Sequence, residues 1–253
     1  MKSLLINVGF GWSATTPLFR TLVKNEYCKK FHRDNGGYGK ECHLLQGIRD
    51  GKNTIEEYID YHNSIEGERV YDFSNTNDAL PSEFIDTIAP ILHKHFDVKV
   101  TMIVRDPVRR FYSMCVHNYR KDILGIHQND YTGDRTSDAV IPYFRSMLSK
   151  AKYSYVQTYK TYSKHFPTYV IIMEKLWENE KEELSKLSSF LEFPITELFP
   201  NVYHDGILHH KLKDQWTDDI PLNQLDYRLA RNRMSWIYDE WEKEFDNMPW
   251  STT

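Results

Sequence analysis

Two short stretches of this 253-residue chain combine residue types that hold anions. The first, Gly9-Phe10-Gly11-Trp12-Ser13-Ala14-Thr15-Thr16, follows an apolar run and leads into Pro17-Leu18-Phe19. A small-residue turn that opens a helix presents backbone N–H groups and the positive end of the helix dipole, and Ser and Thr hydroxyls add donors. Pro17 suits a first helical turn, where its missing N–H has no intrahelical partner. An anion is one occupant of such a turn; a tight strand-to-helix turn in which Thr15 or Thr16 only caps the helix is the other reading. It is not a Walker A loop, because Ala14-Thr15-Thr16 stands where Gly-Lys-Ser/Thr is required.

The second stretch is Val104-Arg105-Asp106-Pro107-Val108-Arg109-Arg110-Phe111-Tyr112-Ser113. Asp106 can cap a helix that begins at Pro107, and Ser113, eight positions after Arg105, returns a hydroxyl two turns along it. A guanidinium at the end of a strand offers a bidentate fork for phosphate. Alternatively Arg105 pairs with Asp106 or another carboxylate as structural glue, and Arg109 and Arg110 form a solvated face.

Positioning these stretches requires strands that end where they begin. Short apolar runs at 4–8, 69–73, 98–104 and 168–173 read as buried strands, and periodic segments at 16–24, 82–96, 107–119 and 141–166 read as the helices between them. Strands alternating with helices imply a parallel sheet with right-handed crossovers, hence an α/β layer fold with its sites at the carboxyl ends of strands. A helix over 181–193 places Leu184, Leu187, Phe190 and Leu191 on one face, and an aromatic-rich helix runs over 224–245. Turn signals at Gly125, Asn129-Asp130 and Gly133-Asp134 make 120–138 a long surface loop. With no linker, repeat or low-complexity tract, 1–253 is expected to be a single domain with a central parallel sheet flanked by helices.

Composition excludes several classes. Hydrophobic residues at 40% and a formal charge of -4 fit neither disorder nor a basic nucleic-acid coat. No apolar run approaches the roughly 18 residues of a membrane span. The opening run carries one charge and lacks a small-residue cleavage site before Phe10 and Trp12, so it reads as a strand rather than a signal peptide. Three cysteines, Cys28, Cys42 and Cys115, at no metal-ligand spacing suit a reducing compartment, and a cytoplasmic location is expected.

The two anion-binding stretches, in this order on an α/β chain, resemble the sulfotransferase family that uses 3′-phosphoadenosine-5′-phosphosulfate (PAPS). In that family a first turn of the form Gly-x-x-(Lys/Arg)-(Ser/Gly)-Gly-Thr-Thr holds the 5′-phosphosulfate, and a strand-end Arg-Asp-Pro-x-x-Arg-x-x-Ser holds the 3′-phosphate. The resemblance continues through Tyr169-Val170-Ile171-Ile172-Met173-Glu174-Lys175-Leu176, like the late strand with Glu-x-Leu. It extends to Leu187-Ser188-Ser189-Phe190-Leu191-Glu192-Phe193, like a Phe-Leu-Gly-Leu helix end. It is nearly full length, though sparse between motifs, and implies a P-loop NTPase-like sulfotransferase fold. By position it assigns the donor to Gly11, Trp12, Ser13, Ala14, Thr15, Thr16, Arg105 and Ser113.

Lys40-Glu41-Cys42-His43-Leu44-Leu45 looks like the Lys-Glu-x-His-Phe-Phe segment of the glycan-type branch, which would make Glu41 the general base and His43 its helper. Sulfuryl transfer to a hydroxyl requires a proton to leave as the oxygen attacks, and a partly buried carboxylate is suited to take it. An ordinary ion pair of Glu41 with Lys40 or Arg33, with His43 packed in the core, is the alternative. Asp72-Phe73-Ser74-Asn75-Thr76 resembles, less closely, the family's Glu-Lys-Thr-Pro-x-Tyr stretch.

Two departures bear on catalysis. Trp12 stands where the family has the Lys or Arg that neutralises the transferred group, and Phe73 replaces another common Lys. Removing one such donor costs on the order of 3–4 kcal/mol of transition-state stabilisation. Reduced activity is therefore expected unless another cation enters: Lys40, or the His209-His210-Lys211-Leu212-Lys213 run, which otherwise reads as a solvated loop. The resemblance implies a metal-independent, PAPS-dependent enzyme acting on a small-molecule or glycan acceptor, with no nucleic-acid partner. A catalytically impaired PAPS-binding or PAP-binding protein, PAP being adenosine 3′,5′-bisphosphate, is the second expectation. A P-loop nucleotide kinase, lacking its Walker lysine, is a distant third.

Overall fold

The computed structural model describes residues 1–11, 13, 15–29, 40–119, 137–198 and 222–250. Its contacts divide the chain into two units, Met1–Val104 with Gln157–Phe199 and Arg105–Val156 with Pro200–Thr253.

The first unit holds a parallel four-stranded sheet. Its strands are β1 (Lys2–Asn7), β2 (Arg69–Asp72), β3 (Phe96–Val104) and β4 (Thr168–Ile172), in the order β2-β1-β3-β4. Leu5 of β1 lies opposite Tyr71 of β2 and Lys99 of β3, so the carboxyl ends of three neighbouring strands emerge along one edge. Period-two alternation sorts the strand residues between two apolar clusters. Leu4, Ile6, Val70, Val98 and Val100 pack with Leu45 of α2 (Leu44–Arg49), Tyr58 and Ile59 of α3 (Ile55–Ser64), and Ile85, Ile88, Ala89 and Leu92 of α4 (Ser82–His95). Leu5, Tyr71, Ile103 and Ile171 pack with Leu18, Phe19 and Leu22 of α1 (Thr15–Lys24). Burying each such aliphatic side chain stabilises the fold by roughly 1.5–3 kcal/mol.

The second unit contains α5 (Pro107–Asn118) and α6 (Ser137–Met147); α7 (Tyr155–Ser163) starts in it and continues in the first unit. The first unit then adds α8 (Met173–Glu178) and α9 (Glu180–Leu191), and the second ends with α10 (Gln224–Arg233) and α11 (Ser235–Phe245). Leu184, Leu187 and Leu191 of α9 join the cluster beneath α1.

Several sequence boundaries need correction. The helix expected over 141–166 is two helices, because the residues between them are committed to tertiary hydrogen bonds. Tyr153 Oη donates to Pro107 O at 2.8 Å, Tyr155 Oη to Arg105 O at 2.8 Å and Ser154 Oγ to Glu240 at 2.6 Å. The helix expected over 224–245 breaks at the fully buried Met234, whose backbone leaves helical geometry between α10 and α11. Of the expected surface loop 120–138, residues 120–136 lie outside the described residues, and its end already belongs to α6. The three cysteines are buried thiols, and burial pushes Cys28 and Cys115 up to about 12. Among the described residues no helix is long and apolar enough to cross a membrane.

Candidate active site

The turn after β1 is shaped by a close approach. Val8 N donates to Thr101 O at 2.7 Å, carrying the β1–β3 pairing one residue beyond the strand. A Cβ on Gly9 would lie 2.0 Å from Thr15 Cγ2 and 2.9 Å from Ile103 Cγ2, so only glycine lets the start of α1 fold back over the strand end. Ser13 N donates to Phe10 O at 3.1 Å and closes the turn. Two buried donor groups here meet no partner among the described residues: the Ser13 hydroxyl, and Asn7 Nδ2, whose companion Oδ1 accepts from Thr101 Oγ1 at 3.1 Å. Leaving a buried polar group unmatched costs about 1–3 kcal/mol, so this set fits an oxygen-rich anion at the N-terminus of α1. Thr15 is buried and Thr16 half-buried there, while Trp12 and Ala14 lie outside the described residues.

The segment from Lys40 to His43 reaches this turn. Phe73 N donates to Lys40 O at 3.0 Å, tying the segment to the end of β2. Lys40 Nζ lies 3.5 Å from Thr15 Oγ1 and also forms a very short ion pair with Glu41 Oε1. The other carboxylate oxygen, Glu41 Oε2, is 3.3 Å from His43 Nε2, and His43 Nδ1 is 3.2 Å from Thr76 Oγ1. Side-chain exposure rises along the series from 13% at Lys40 through 25% at Glu41 to 42% at His43, so the carboxylate and imidazole are open to a solute while the ammonium is shielded. Glu41 thus pairs with Lys40, as the ion-pair alternative has it, whereas His43 does not pack in the core as that alternative expects.

His43 sits in the left-handed region at φ 54°, a conformation that costs a non-glycine residue roughly 1–2 kcal/mol. The end of β2 holds it there. His43 N donates to Ser74 Oγ at 2.9 Å, while Ser74 Oγ and N donate to Asp72 Oδ1 at 2.5 and 2.9 Å, and Tyr58 Oη donates to Asp72 Oδ2 at 3.3 Å. The same network includes Cys42 and His62, which with Asp72 bring three potential metal-ligand atoms within 4.8 Å of one another. His62 Nδ1 bonds Tyr58 O at 2.9 Å, while burial lowers its pKa and raises that of the Cys42 thiol, keeping both neutral. Phe73 is fully buried against Phe19 and Tyr71, with ring centroids 5.6 and 6.2 Å away. The position compared with a family lysine is therefore a core position here.

In the second unit, Arg105 is 2% exposed and its Nη1 donates to Ser113 Oγ at 2.9 Å, across the two helical turns that the spacing implies. Asp106 caps α5 by accepting from Arg109 N at 2.9 Å. Its Oδ2 accepts from Tyr227 and Tyr238 hydroxyls at 2.9 and 3.0 Å, and burial together with this carboxylate raises both phenol pKa values. Arg109 is exposed, whereas Arg110 is buried with its guanidinium 4.1 Å from the Tyr153 ring centroid. The two arginines thus do not share a solvated face.

Sequence reasoning missed the support from Asp72, Ser74 and Thr76 and the tyrosine pair on Asp106, since each depends on contacts between distant segments. The His209 to Lys213 run lies outside the described residues.

No family model matches the chain, and no curated protein matches it in sequence. Solved structures do. A sulfotransferase from Alicyclobacillus acidocaldarius is 16% identical with a TM-score of 0.50, covering 94% of this chain and 96% of that one. Mouse sulfotransferase SULT7A1, complexed with PAP, is 14% identical with a TM-score of 0.52, covering 97% of this chain and 86% of that one. At these identities the likeness defines the architecture: the chain has the sulfotransferase fold, a parallel α/β sheet flanked by helices.

Proposed function

We propose that this chain is a single-domain, cytoplasmic sulfotransferase that moves a sulfuryl group from PAPS to a hydroxyl or amine of a small-molecule or glycan acceptor. The observation that carries the proposal is the line from Thr15 through Lys40 and Glu41 to His43, which sets a cation and a proton acceptor beside a helix N-terminus. In this reading the α1 N-terminus, Ser13, Thr15 and Thr16 take the 5′-phosphosulfate, and Arg105 with Ser113 takes the 3′-phosphate. PAP in the mouse structural neighbour supports the donor class.

Glu41 accepts the proton of the attacking hydroxyl, and His43, held between Glu41 and Thr76, orients the carboxylate and the incoming group. Helix dipole, hydroxyls and ammonium supply the positive potential, so the reaction requires no metal. Trp12 favours one competing reading, a protein that binds PAPS or PAP with impaired catalysis.

Calorimetric titration with adenosine 3′,5′-bisphosphate, repeated with ATP and magnesium, tests the nucleotide class; binding of the first and not the second is expected. A sulfuryl-transfer assay over an acceptor panel then compares wild type with Glu41→Gln, with and without a chelator. Turnover lost in the variant, nucleotide binding retained and chelator insensitivity support the enzyme. Binding without turnover in wild type supports the impaired protein. Loss of turnover on chelation would direct attention to Cys42, His62 and Asp72.

A further inference from the structure

We infer that Lys40 supplies the charge missing from the turn after β1 and that Glu41 holds it in reserve, so that donor binding both recruits the cation and releases the base. This inference rests on the sulfotransferase reading. Within the described residues Lys40 Nζ is placed between two partners, Thr15 Oγ1 at the first residue of α1 and the Glu41 carboxylate. Thr15 lies 25 positions before Lys40 in the chain, so the contact is tertiary. The turn itself provides dipole and hydroxyls, and Trp12 occupies the place of the family's cation.

The Lys40–Glu41 pair is partly shielded, its side chains 13% and 25% exposed, so the ammonium leaves it only for a partner of greater negative charge. A phosphosulfate seated at the helix N-terminus presents several anionic oxygens to the same ammonium and gains from the helix dipole as well. The ammonium therefore transfers from Glu41 to the donor with little movement, since it already lies near Thr15. Glu41 then keeps His43 as its neighbour and regains a lone pair with which to take the acceptor's proton.

In the transfer step the acceptor oxygen attacks sulfur, and its proton passes to Glu41. The bond between sulfur and the bridging oxygen breaks, leaving its electron pair on the 5′-phosphate, where Lys40 and the α1 N-terminus meet the new charge. The products are the sulfated acceptor, adenosine 3′,5′-bisphosphate and a protonated Glu41, which returns its proton to solvent. An acceptor that arrives first meets a carboxylate engaged by Lys40, so ordered binding with the donor leading is expected.

A double-mutant cycle read by calorimetry and single-turnover kinetics tests this. Lys40→Met should lower turnover roughly 100-fold to 1,000-fold, with Lys40→Arg recovering part of it. Glu41→Gln, although unable to turn over, should bind the bisphosphate roughly fivefold more tightly, because Lys40 is no longer withheld. In the Lys40→Met background the same Glu41→Gln change should alter affinity by less than about twofold. Equal tightening in both backgrounds, no tightening in either, or full turnover in Lys40→Met overturns the inference. If Lys40→Met fails to fold, judged by its thermal transition, Lys40→Gln replaces it and the Glu41→Gln titration stands on its own. Failure of wild type to bind the bisphosphate at all would instead remove the sulfotransferase reading.

Discussion

Among the described residues the turn after β1 holds two buried donors, Ser13 Oγ and Asn7 Nδ2, that meet no partner, whereas in the turn after β3 the charged side chains of Arg105 and Asp106 are matched. Arg105 rests on Ser113, and Asp106 is spent on the cap of α5 and on two tyrosine hydroxyls. The second turn is therefore preorganised, its guanidinium fixed before any ligand arrives. The first has a fixed backbone and, in the proposed reading, takes its charge from Lys40, a residue on another segment. Affinity is expected to depend mainly on the second turn, and reaction rate on the first.

Asp106→Ala should be the largest blow to this contrast. It removes a helix cap, worth about 1 kcal/mol, and strands the buried Tyr238 hydroxyl at about 1–3 kcal/mol. Urea denaturation should therefore show a loss of about 2–4 kcal/mol. An unchanged midpoint would mean that the second turn is no better fixed than the first.

Arg105→Ala should weaken adenosine 3′,5′-bisphosphate by roughly 100-fold while changing adenosine 5′-phosphate by less than about threefold. Equal weakening of both, measured by calorimetry, would remove Arg105 from the 3′-phosphate and erase the division of labour.

The smallest effects sharpen the first turn. Gly9→Ala forces a Cβ into Thr15 and Ile103 and should cost about 1–3 kcal/mol. At Gly11, where no described residue lies within 4 Å of the added carbon, alanine should instead stabilise by about 0.5 kcal/mol. Thermal unfolding of the pair checks the opposite signs.

The parallel sheet was legible because hydrophobic runs bounded by turns dictate buried strands, and all four fell within two residues of their observed ends. The α3 helix was also available: Thr54 and Glu57 form a capping box whose Thr-x-x-Glu spacing stands in the sequence. By contrast α2 and α8, six residues each, are too short to display a helical period. In the candidate site, the spacing from Arg105 to Ser113 could be read from helix geometry alone. The contact of Lys40 with Thr15 and the hold of Ser74 on His43 could not, since each joins segments that meet only when β1 and β2 pair.

The backbone of His43 gives position 43 an unusual property. Glycine adopts its left-handed geometry without steric penalty, and the relief of roughly 1 kcal/mol offsets the added freedom of the denatured chain. If His43 serves catalysis as proposed, a lineage losing that activity could discard the imidazole here while keeping a sound fold, and a glycine at this site in a related chain would mark a retired enzyme rather than a damaged one.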